Sequence, residues 1–326
     1  MNVLVTGAAG FVGSNLVKEL LNNGYNVTAL HRAGSGLDEI KDLKINFKIA
    51  DIRDKKALID AFEGIDIVYH IAALFRQAKF PDSVYHDINV KGTENVFEAA
   101  IACGVKKVIH CSTVGVHSHI SNPPATETEE YRPGDIYQKT KMLGEKLAID
   151  YYKSGKMKGA VIRPAMIWGE GDLRTLKIFK MISKKKFPII GDGKTNLHWI
   201  YVKDLARAFR VLSENDNVNG EVFIISGKET ITIEHMVEKI ANQYGLNAPK
   251  LRIPAFPVQL IGSIVELICI PFRIEPPIYR RRVDFYTKTR HFDSSKARNL
   301  LGFEPEFDFE GEVKQIAKWY KENNWL

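Results

Sequence analysis

The sequence predicts an α/β protein with a doubly wound parallel sheet and a smaller C-terminal lobe. Short apolar segments alternate with amphipathic segments over the first half of the chain, and the first apolar segment runs into a glycine-rich turn. Such alternation implies right-handed crossovers, with ligands bound outside the carboxyl ends of the strands. We therefore expect the residues of functional interest at those strand ends.

The glycine-rich turn lies between a predicted first strand, Val3–Val5, and a predicted amphipathic helix, Phe11–Asn22. Tyr25–Leu30 supplies the second strand of a βαβ unit. Small residues let the backbone approach a pyrophosphate, and the start of the helix presents unpaired N–H groups and partial positive charge to it. An ordinary strand–helix turn is the alternative, but the βαβ context favours a dinucleotide site. Its predicted lining residues are Gly7, Gly10, Phe11, Val12 and Gly13.

The same patterns predict the other elements. Strands are expected at Phe47–Ala50, Ile65–Ile71, Lys107–Cys111, Gly159–Ile162 and Val222–Ser226. Helices are expected at Lys55–Phe62, Asp87–Cys103, Ile136–Lys153, near Thr175–Lys184, and at Val202–Ser213, Thr232–Tyr244 and Glu312–Asn323. We assign residues 1–165 to a Rossmann-type NAD(P)-binding domain and residues 166–326 mainly to a substrate-binding lobe, with residues of about 200–230 returning to the first domain.

The charge balance argues against a nucleic-acid partner. The chain has 46 basic and 39 acidic residues among 326, a net charge of +7, and its basic residues are spread thinly apart from Lys184–Lys186 and Arg280–Arg282. A nucleic-acid-binding protein usually concentrates such charge on one face, with aromatic residues between. We attribute the excess to solubility and to attraction of an anionic cofactor or substrate.

The three cysteines, Cys103, Cys111 and Cys269, are odd in number, far apart, and without the spacing of metal ligands. They predict reduced thiols in a cytoplasmic protein with no metal site. No signal peptide is expected, because predicted structure begins at residue 2.

One apolar stretch, Ala255–Phe272, is too short and too often interrupted to predict a membrane span. We interpret it as an amphipathic helix over the substrate pocket. Contact with a membrane surface, with Arg280–Arg282 on lipid phosphates, is the less favoured alternative.

Tyr137 and Lys141 are four residues apart on a predicted helix and therefore lie on one face. A free tyrosine has a pKa of about 10, and an adjacent ammonium group lowers it by favouring the phenolate. Such a tyrosine can take a proton from a substrate hydroxyl, or return it during reduction. The pair alone is weak evidence, since surface Tyr/Lys pairs are common.

Together these motifs resemble the extended short-chain dehydrogenases/reductases, also called the NAD-dependent epimerase/dehydratase family. The resemblance covers nearly the whole chain, in the expected order. Its elements are the glycine turn, Asp51-Ile52, the segment His70–Ala73, Asn89 in NVKGTENV, Ser112-Thr113, Tyr137 to Lys141, Arg163-Pro164, and the tail FDSSKARNLLGFEPEF.

The resemblance implies roles for individual residues. Thr113 would hydrogen-bond the reacting oxygen, Tyr137 would be the general acid/base, and Lys141 would hold the nicotinamide ribose and lower the pKa of Tyr137. The other residues implied to contact the cofactor are Asp51, Ile52, Ala72, Ala73, Asn89, Ser112 and Pro164. Three of these have purely structural alternatives: Asp51 as a helix cap, Asn89 as a buried polar cap, and Ser112 as the end of a strand.

The second predicted strand ends at His31-Arg32, where a member that prefers NAD would place an acidic residue for the ribose hydroxyls. Arg32 can instead bind a 2′-phosphate. This predicts NADP(H) in preference to NAD(H), with stacking of the arginine on adenine as the alternative.

Departures from the family pattern narrow the reaction. Sugar dehydratases carry an Asp-Glu pair after the catalytic Thr, and some epimerases a Cys two positions after it, whereas this chain has Val114-Gly115. Leu197 replaces an Arg that grips the diphosphate in many nucleotide-sugar 4-epimerases; Lys194, Arg174 or His198 are the candidate substitutes. The reaction that remains is hydride transfer at one secondary alcohol or ketone. Within the family, the chain most resembles the branch of dihydroflavonol reductases and 3β-hydroxysteroid dehydrogenases.

Two other functions are retained as alternatives. A UDP-sugar 4-epimerase needs only the same three catalytic residues, and a non-catalytic redox sensor would bind the dinucleotide without needing them. A homodimer is expected through the helix Asp87–Cys103 and the Tyr137 helix, although the face with Val90, Val96, Phe97 and Ala100 also fits a monomer core.

Overall fold

A seven-stranded parallel sheet positions the site. The computed structural model describes residues 1–75, 80–249, 251–269 and 280–326, without the side chains of 280–282. The sheet strands are β1 (Asn2–Thr6), β2 (Asn26–His31), β3 (Asn46–Ile49), β4 (Ile67–His70), β5 (Lys107–Cys111), β6 (Gly159–Pro164) and β10 (Val222–Ile225). Their order is β10-β6-β5-β4-β1-β2-β3. β2 and β3 lie on one side of β1, whereas β4, β5 and β6 lie on its other side, so the order in which strands are added switches between β1 and β4. A ligand crevice is expected at such a switch point.

Helices cover both faces of this sheet. They are α1 (Phe11–Asn22), α2 (Lys55–Phe62), α3 (Asp82–His86), α4 (Gly92–Ala102), α5 (Ile136–Lys153) and α7 (Val202–Glu214). Val3 and Val5 point into a core with α1 and α7, whereas Leu4 points into the opposite core with α2, α4 and α5. This alternation along β1 explains its unbroken apolar sequence, because both faces of the strand are buried.

The second half of the chain builds smaller sheets and further helices. β7 (Met166–Trp168), β9 (Asn196–Tyr201) and β11 (Thr230–Thr232) form one sheet, and β8 (Ile189–Ile190) pairs with β12 (Arg252–Ile253). The helices are α6 (Leu173–Ser183), α8 (Ile233–Asn242), α9 (Ala255–Cys269), α10 (Arg280–Thr287), α11 (Ser295–Leu301) and α12 (Phe309–Glu322). Their core is aromatic: the ring of Trp168 stacks on Trp199 at 4.7 Å and on Phe309 at 5.0 Å between centroids.

The predicted parallel sheet with flanking helices is confirmed, and α1, α2, α5 and β5 have their predicted bounds. The strand predicted at Ile65–Ile71 is shorter, ending at His70, because Ile71 and Ala72 donate their N–H groups to the Thr6 hydroxyl. The helix predicted at Asp87–Cys103 is preceded by α3 and begins with a π-helical turn, Asp87–Lys91. The short strands β7, β8, β9, β11 and β12 were not predicted.

Two elements from the second half of the chain join the seven-stranded sheet and its helices: α7 packs against α1, and β10 is the edge strand beside β6. The division of the chain near residue 165, and the return of residues of about 200–230 to the first domain, stay predictions. The apolar stretch predicted at 255–272 is helical to Cys269, and residues 270–272 lie outside the described part of the chain. In the ranges that the structure describes, no helix has both the length and the apolarity to cross a bilayer.

The helical face considered for a dimer is buried within the monomer. Val96, Phe97 and Ala100 have no exposed surface, and the Phe97 ring stacks on Tyr151 of α5 at 4.9 Å. The monomer-core alternative is therefore correct for these three residues. Dimerisation itself stays a prediction.

Candidate active site

The glycine turn after β1 is tightly packed. Gly7 has φ +70, and a β-carbon on it would lie 2.9 Å from the backbone of Ala72. A β-carbon on Gly13 would lie 2.2 Å from the Gly7 carbonyl oxygen. Only glycine fits these two positions without moving the backbone.

The first turn of α1 suits an anionic group. Gly10 is its N-cap, no side chain caps it, and no acidic residue lies in the first turn. Phe11 and Val12 are half-buried beside it. An uncapped helix N-terminus at the switch point of a parallel sheet fits the pyrophosphate of a dinucleotide.

Buried hydrogen bonds hold β4 against this turn. The Thr6 hydroxyl accepts the N–H groups of Ile71 and Ala72 at 3.1 Å and lies 2.9 Å from Nδ1 of His70. Nε2 of His70 lies 3.0 Å from the hydroxyl of Thr93 on α4. Burial, and then the charge of Lys141, lower the pKa of His70 to about 3, so this imidazole is neutral at physiological pH. The close approach of Ala72 to Gly7 therefore depends on the hydrogen bonds of Thr6 and His70.

Asn89 connects two parts of the site. It lies in the π-helical turn, is 2% exposed, and its side chain exchanges two hydrogen bonds with the backbone of Leu74, at 2.7 and 3.2 Å. The same amide donates to the Thr140 hydroxyl of α5 at 3.0 Å. Asn89 is thus a buried polar link, and it holds the loop with Ala73 against the helix with Tyr137. π-Helical turns are frequent at functional sites.

The three predicted catalytic residues come from β5 and α5. Thr113 follows β5 and caps a 3₁₀ turn, Val114–His117, by accepting the Gly115 N–H at 3.0 Å. Its hydroxyl proton is still able to donate to a ligand. A β-carbon on Gly115 would lie 3.2 Å from the Thr113 hydroxyl and 3.5 Å from the Gln138 amide nitrogen, so the turn packs directly against the start of α5. Tyr137, in the first turn of α5, is half-buried.

Lys141 lies one helical turn beyond Tyr137 and is 4% exposed. Its ammonium group donates to the carbonyl of Cys111, the last residue of β5, at 2.6 Å. Burial lowers the pKa of Lys141, while Cys111 and Glu145 oppose that shift. The two remaining N–H donors of the ammonium group are able to serve a ligand.

A buried charge network that the sequence motifs did not reveal supports these residues. The Arg163 guanidinium of β6 pairs with the Glu145 carboxylate of α5 at 2.6 Å, and their side chains are 3% and 0% exposed. Glu145 also accepts hydrogen bonds from the hydroxyls of Ser112 and Tyr131. Burial would raise the pKa of Glu145, but its hydrogen bonds and charge pairing with Arg163 outweigh burial and lower it. Glu145 lies one helical turn beyond Lys141 on the same face of α5, and this spacing is the sequence feature that could have predicted its place in the site.

Ser112 therefore does more than end a strand: its hydroxyl is committed to Glu145. Pro164, the last residue of β6, is buried and aligned with Ile225 of β10. Another residue missed by the motifs is His110 of β5. It is fully buried, its ring lies 5.3 Å from that of His70, and neither ring nitrogen has a hydrogen-bond partner in the described part of the chain.

The ends of β2 and β3 form a basic rim. Arg32, directly after β2, is exposed, and His31 is buried with its ring against Phe47. Asp51 pairs with Arg53, at 2.8 Å between Nη2 and Oδ2. The hydrogen bond with Arg53 is the main cause that lowers the pKa of Asp51, and the charge of Arg32 contributes to the same direction. Arg53, which the sequence reasoning passed over, is a second cation at this rim.

Asp51 is not a helix cap, because Asp54 caps α2 by accepting the Ala57 N–H at 3.1 Å. Ile52 is 5% exposed and packs against Gly92 of α4, where a β-carbon would meet it at 2.7 Å. The Ile52 side chain therefore belongs to the core, and it also lies in the segment predicted to contact the cofactor.

An aromatic and cationic wall borders Tyr137. The exposed ring of Phe75 lies 5.0 Å from the Tyr137 ring, edge to face. The Arg174 guanidinium lies 5.5 Å from the Phe11 ring centroid and 5.8 Å from that of Phe75. Asp172 fixes Arg174 through a 2.9 Å ion pair. One fixed cation thus lies between Phe11, the first residue of α1, and Phe75, whose ring contacts Tyr137.

The positions that depart from the family pattern have clear environments. Val114 is 5% exposed in an apolar cluster with Ile224 and Phe292, so it offers no room for an acid. Leu197 is fully buried in the core of the second half of the chain. Nε2 of His198 lies 2.9 Å from the Gly227 carbonyl oxygen. Burial is the main cause that lowers the pKa of His198, to about 4.

A parallel sheet with a glycine turn at its switch point is the architecture of dinucleotide-dependent enzymes. The chain belongs to the NAD dependent epimerase/dehydratase family, whose sequence profile matches residues 3–226. Members of this class are NAD-dependent oxidoreductases and epimerases, and the resemblance predicted from the motifs is confirmed.

Relatives of the chain include both a dehydrogenase and 4-epimerases. A 3beta-hydroxysteroid-dehydrogenase/decarboxylase (isoform 2) of Arabidopsis thaliana is 30% identical over 93% of this chain, which spans 59% of that relative's length. An N-acetyl-alpha-D-glucosaminyl-diphospho-ditrans,octacis-undecaprenol 4-epimerase of Escherichia coli O157:H7 is 27% identical to this chain. That match covers 91% of this chain and 89% of the relative's length. The solved UDP-glucuronic acid 4-epimerase of Bacillus cereus in complex with NAD is 25% identical, with a TM-score of 0.79 over 99% of each chain.

Proposed function

We propose that this protein is an NADP(H)-dependent dehydrogenase or reductase that transfers hydride at one secondary alcohol or ketone of a bulky, partly apolar substrate. The observation that carries the proposal is the grouping of Thr113, Tyr137 and Lys141 at the carboxyl end of β5, with no acid at the two positions after Thr113. Proton transfer to a single oxygen needs these three residues; moving protons on neighbouring carbons needs more.

Each residue has a defined task in this proposal. The Thr113 hydroxyl, whose oxygen accepts the Gly115 N–H, donates a hydrogen bond to the substrate oxygen, keeps its proton, and so orients that oxygen. Tyr137 gives a proton to that oxygen during reduction and removes it during oxidation. Lys141 favours the phenolate of Tyr137 by its charge, and its position is set by the Cys111 carbonyl. Phe75 shields one side of the tyrosine from water.

The described residues also fit the dinucleotide. The backbone at Gly10–Gly13 would hold the pyrophosphate, Arg32 the 2′-phosphate, and Asp51 the adenosine, while Lys141 would hold the nicotinamide ribose. When bound, the nicotinamide accepts or supplies the hydride. The remaining work, which is orientation and proton transfer, falls to the chain.

The preference for an apolar substrate rests on two observations. Leu197, at the position of the diphosphate-gripping arginine, is buried in the core and unable to face a ligand. The names of two relatives specify a hydroxysteroid and an undecaprenol derivative, and both are lipids. A lipid-like alcohol or ketone is therefore the substrate class that we favour.

A 4-epimerase is the second candidate, and Arg174 is the observation that favours it. Its guanidinium is fixed by Asp172 beside Phe11 and Phe75, where it could bind a diphosphate in place of the missing arginine. Such an enzyme would use Tyr137 twice, to remove a proton and to return it. A redox sensor is disfavoured because it has no need of the Tyr137 and Lys141 arrangement.

The two candidates differ in how they treat the cofactor, and native mass spectrometry of gently purified protein tests this. We expect protein without stoichiometric NAD that binds NADPH, oxidises it with an apolar ketone and does not bind UDP-glucose. Reductases must exchange their cofactor at every turnover, whereas a 4-epimerase regenerates it. Retained NAD together with UDP-glucose binding would overturn the proposal in favour of the epimerase.

Cofactor preference is tested at Arg32. We expect Arg32→Ala to weaken NADPH binding by about tenfold and to leave NADH binding unchanged, since one charge-assisted contact to a phosphate contributes roughly 1.5 kcal/mol or more. Isothermal titration with both cofactors measures the ratio. Lys41→Ala, which removes an exposed cation paired with Asp38, is the matched control. Equal losses for NADPH and NADH would show instead that Arg32 stacks on the adenine.

A homodimer and a cytoplasmic location remain part of the proposal. The exposed faces of α4 and α5 are the surfaces proposed for the dimer, since their buried faces belong to the monomer core.

A further inference from the structure

We propose that α9 docks this enzyme onto a lipid bilayer that contains anionic headgroups. The helix carries six large apolar side chains that are 49–77% exposed. They define the apolar face of α9 and are Phe256, Leu260, Ile261, Ile264, Leu267 and Ile268. This inference deepens the proposed function, because it supplies a route for a lipid-dissolved substrate.

The exposed side chains occupy one side of the helix. Phe256, Leu260, Ile264 and Leu267 follow the helical spacing of three and four residues, while Gly262 is buried against the protein on the other side. Glu266 is the single charged residue of α9, and the helical period places it away from the apolar face. A continuous exposed apolar stripe of this kind marks an interaction surface rather than ordinary surface scatter.

The length of α9 decides how it meets the bilayer. Fifteen residues form a helix about 22 Å long, whereas a span needs about 20 residues. A helix with one apolar side and a second side packed on the protein lies in the plane of the interface. The exposed bulk at Phe256 and Leu267, near opposite ends of the helix, suits this orientation.

The charge around α9 favours an anionic surface over a second copy of the chain. α10 packs against α9, and its sequence begins with Arg280–Arg282. Phe187, which follows the exposed lysines Lys184–Lys186, has its ring 6.1 Å from that of Tyr286 of α10. Two copies paired through α9 would bring these basic segments together, whereas anionic headgroups neutralise them.

Vesicle sedimentation tests the inference with the whole chain of 326 residues. We expect binding to phosphatidylcholine vesicles that contain phosphatidylglycerol, and weaker binding to phosphatidylcholine alone or at high salt. Leu260→Glu/Leu267→Glu should lower the partition coefficient by on the order of tenfold or more, because two charges replace apolar side chains that enter the bilayer. The matched control, Leu300→Glu/Leu326→Glu, changes two exposed residues, one in α11 and one at the C-terminus, and should bind like the wild type.

Failure of this inference is separable from failure of the proposed function. NADPH binding without vesicles, measured on every variant, reports on folding and on the cofactor site alone. Equal vesicle binding by wild type and Leu260→Glu/Leu267→Glu, or no binding by the wild type, would overturn docking through α9. So would a wild-type dimer, detected by sedimentation velocity, that this variant converts to a monomer without any vesicle binding.

Discussion

Tyr137→Phe should reduce the rate of NADPH oxidation by a ketone substrate by about 10²–10⁴-fold, the usual contribution of one general acid/base. The substitution removes the proton donor and keeps the ring, so the edge-to-face contact with Phe75 persists. Steady-state kinetics should show the loss in kcat, since the cofactor contacts assigned to the glycine turn and to Arg32 are unchanged.

Tyr151→Phe is the control for this experiment. Tyr151 lies on the same helix, about three helical turns beyond Lys141. Its ring stacks on Phe97 in the core formed with α2 and α4. We expect wild-type turnover from it. A general acid/base contributes at least about a hundredfold. If Tyr137→Phe keeps more than about a tenth of the wild-type activity, the assignment of Tyr137 as the general acid/base is therefore wrong.

Glu145→Gln should destabilise the fold by about 3–5 kcal/mol, because it leaves the Arg163 guanidinium buried without a compensating charge. The pair is almost fully buried, and Ser112 and Tyr131 donate to the same carboxylate. Urea unfolding followed by circular dichroism measures the loss. The double variant Glu145→Leu/Arg163→Met should recover part of it, since apolar residues carry no lone charge.

Glu310→Gln provides the comparison on the surface. Glu310 pairs with Lys239 at 2.6 Å but is 59% exposed, so its removal should cost less than about 1 kcal/mol. Equal losses for Glu145→Gln and Glu310→Gln would mean that the buried carboxylate is not the essential partner of Arg163.

The sequence was most informative where local chemistry and fold coincide. Gly7 and Gly13 sit where a β-carbon would strike the backbone, so their positions could be read from the chain alone. The spacing of Tyr137 and Lys141 placed them on one helical face, and the alternating apolar segments predicted the sheet. The strands β7, β8, β11 and β12 escaped prediction because two or three residues carry too little periodicity. The longer β9 has five consecutive buried residues and therefore lacks the alternation of a half-buried strand.

What the sequence by itself determined is the class of the protein: a parallel sheet, a dinucleotide turn and a tyrosine–lysine pair, all encoded by spacing within short segments. The tertiary structure decided which polar residues work together. Glu145 meets Arg163 from 18 positions away in the chain, and Arg174 reaches Phe11 from the second half of the chain. It also decided that α9 leaves its apolar face exposed. Local patterns report which face of an element is apolar, but only packing determines what, if anything, covers it.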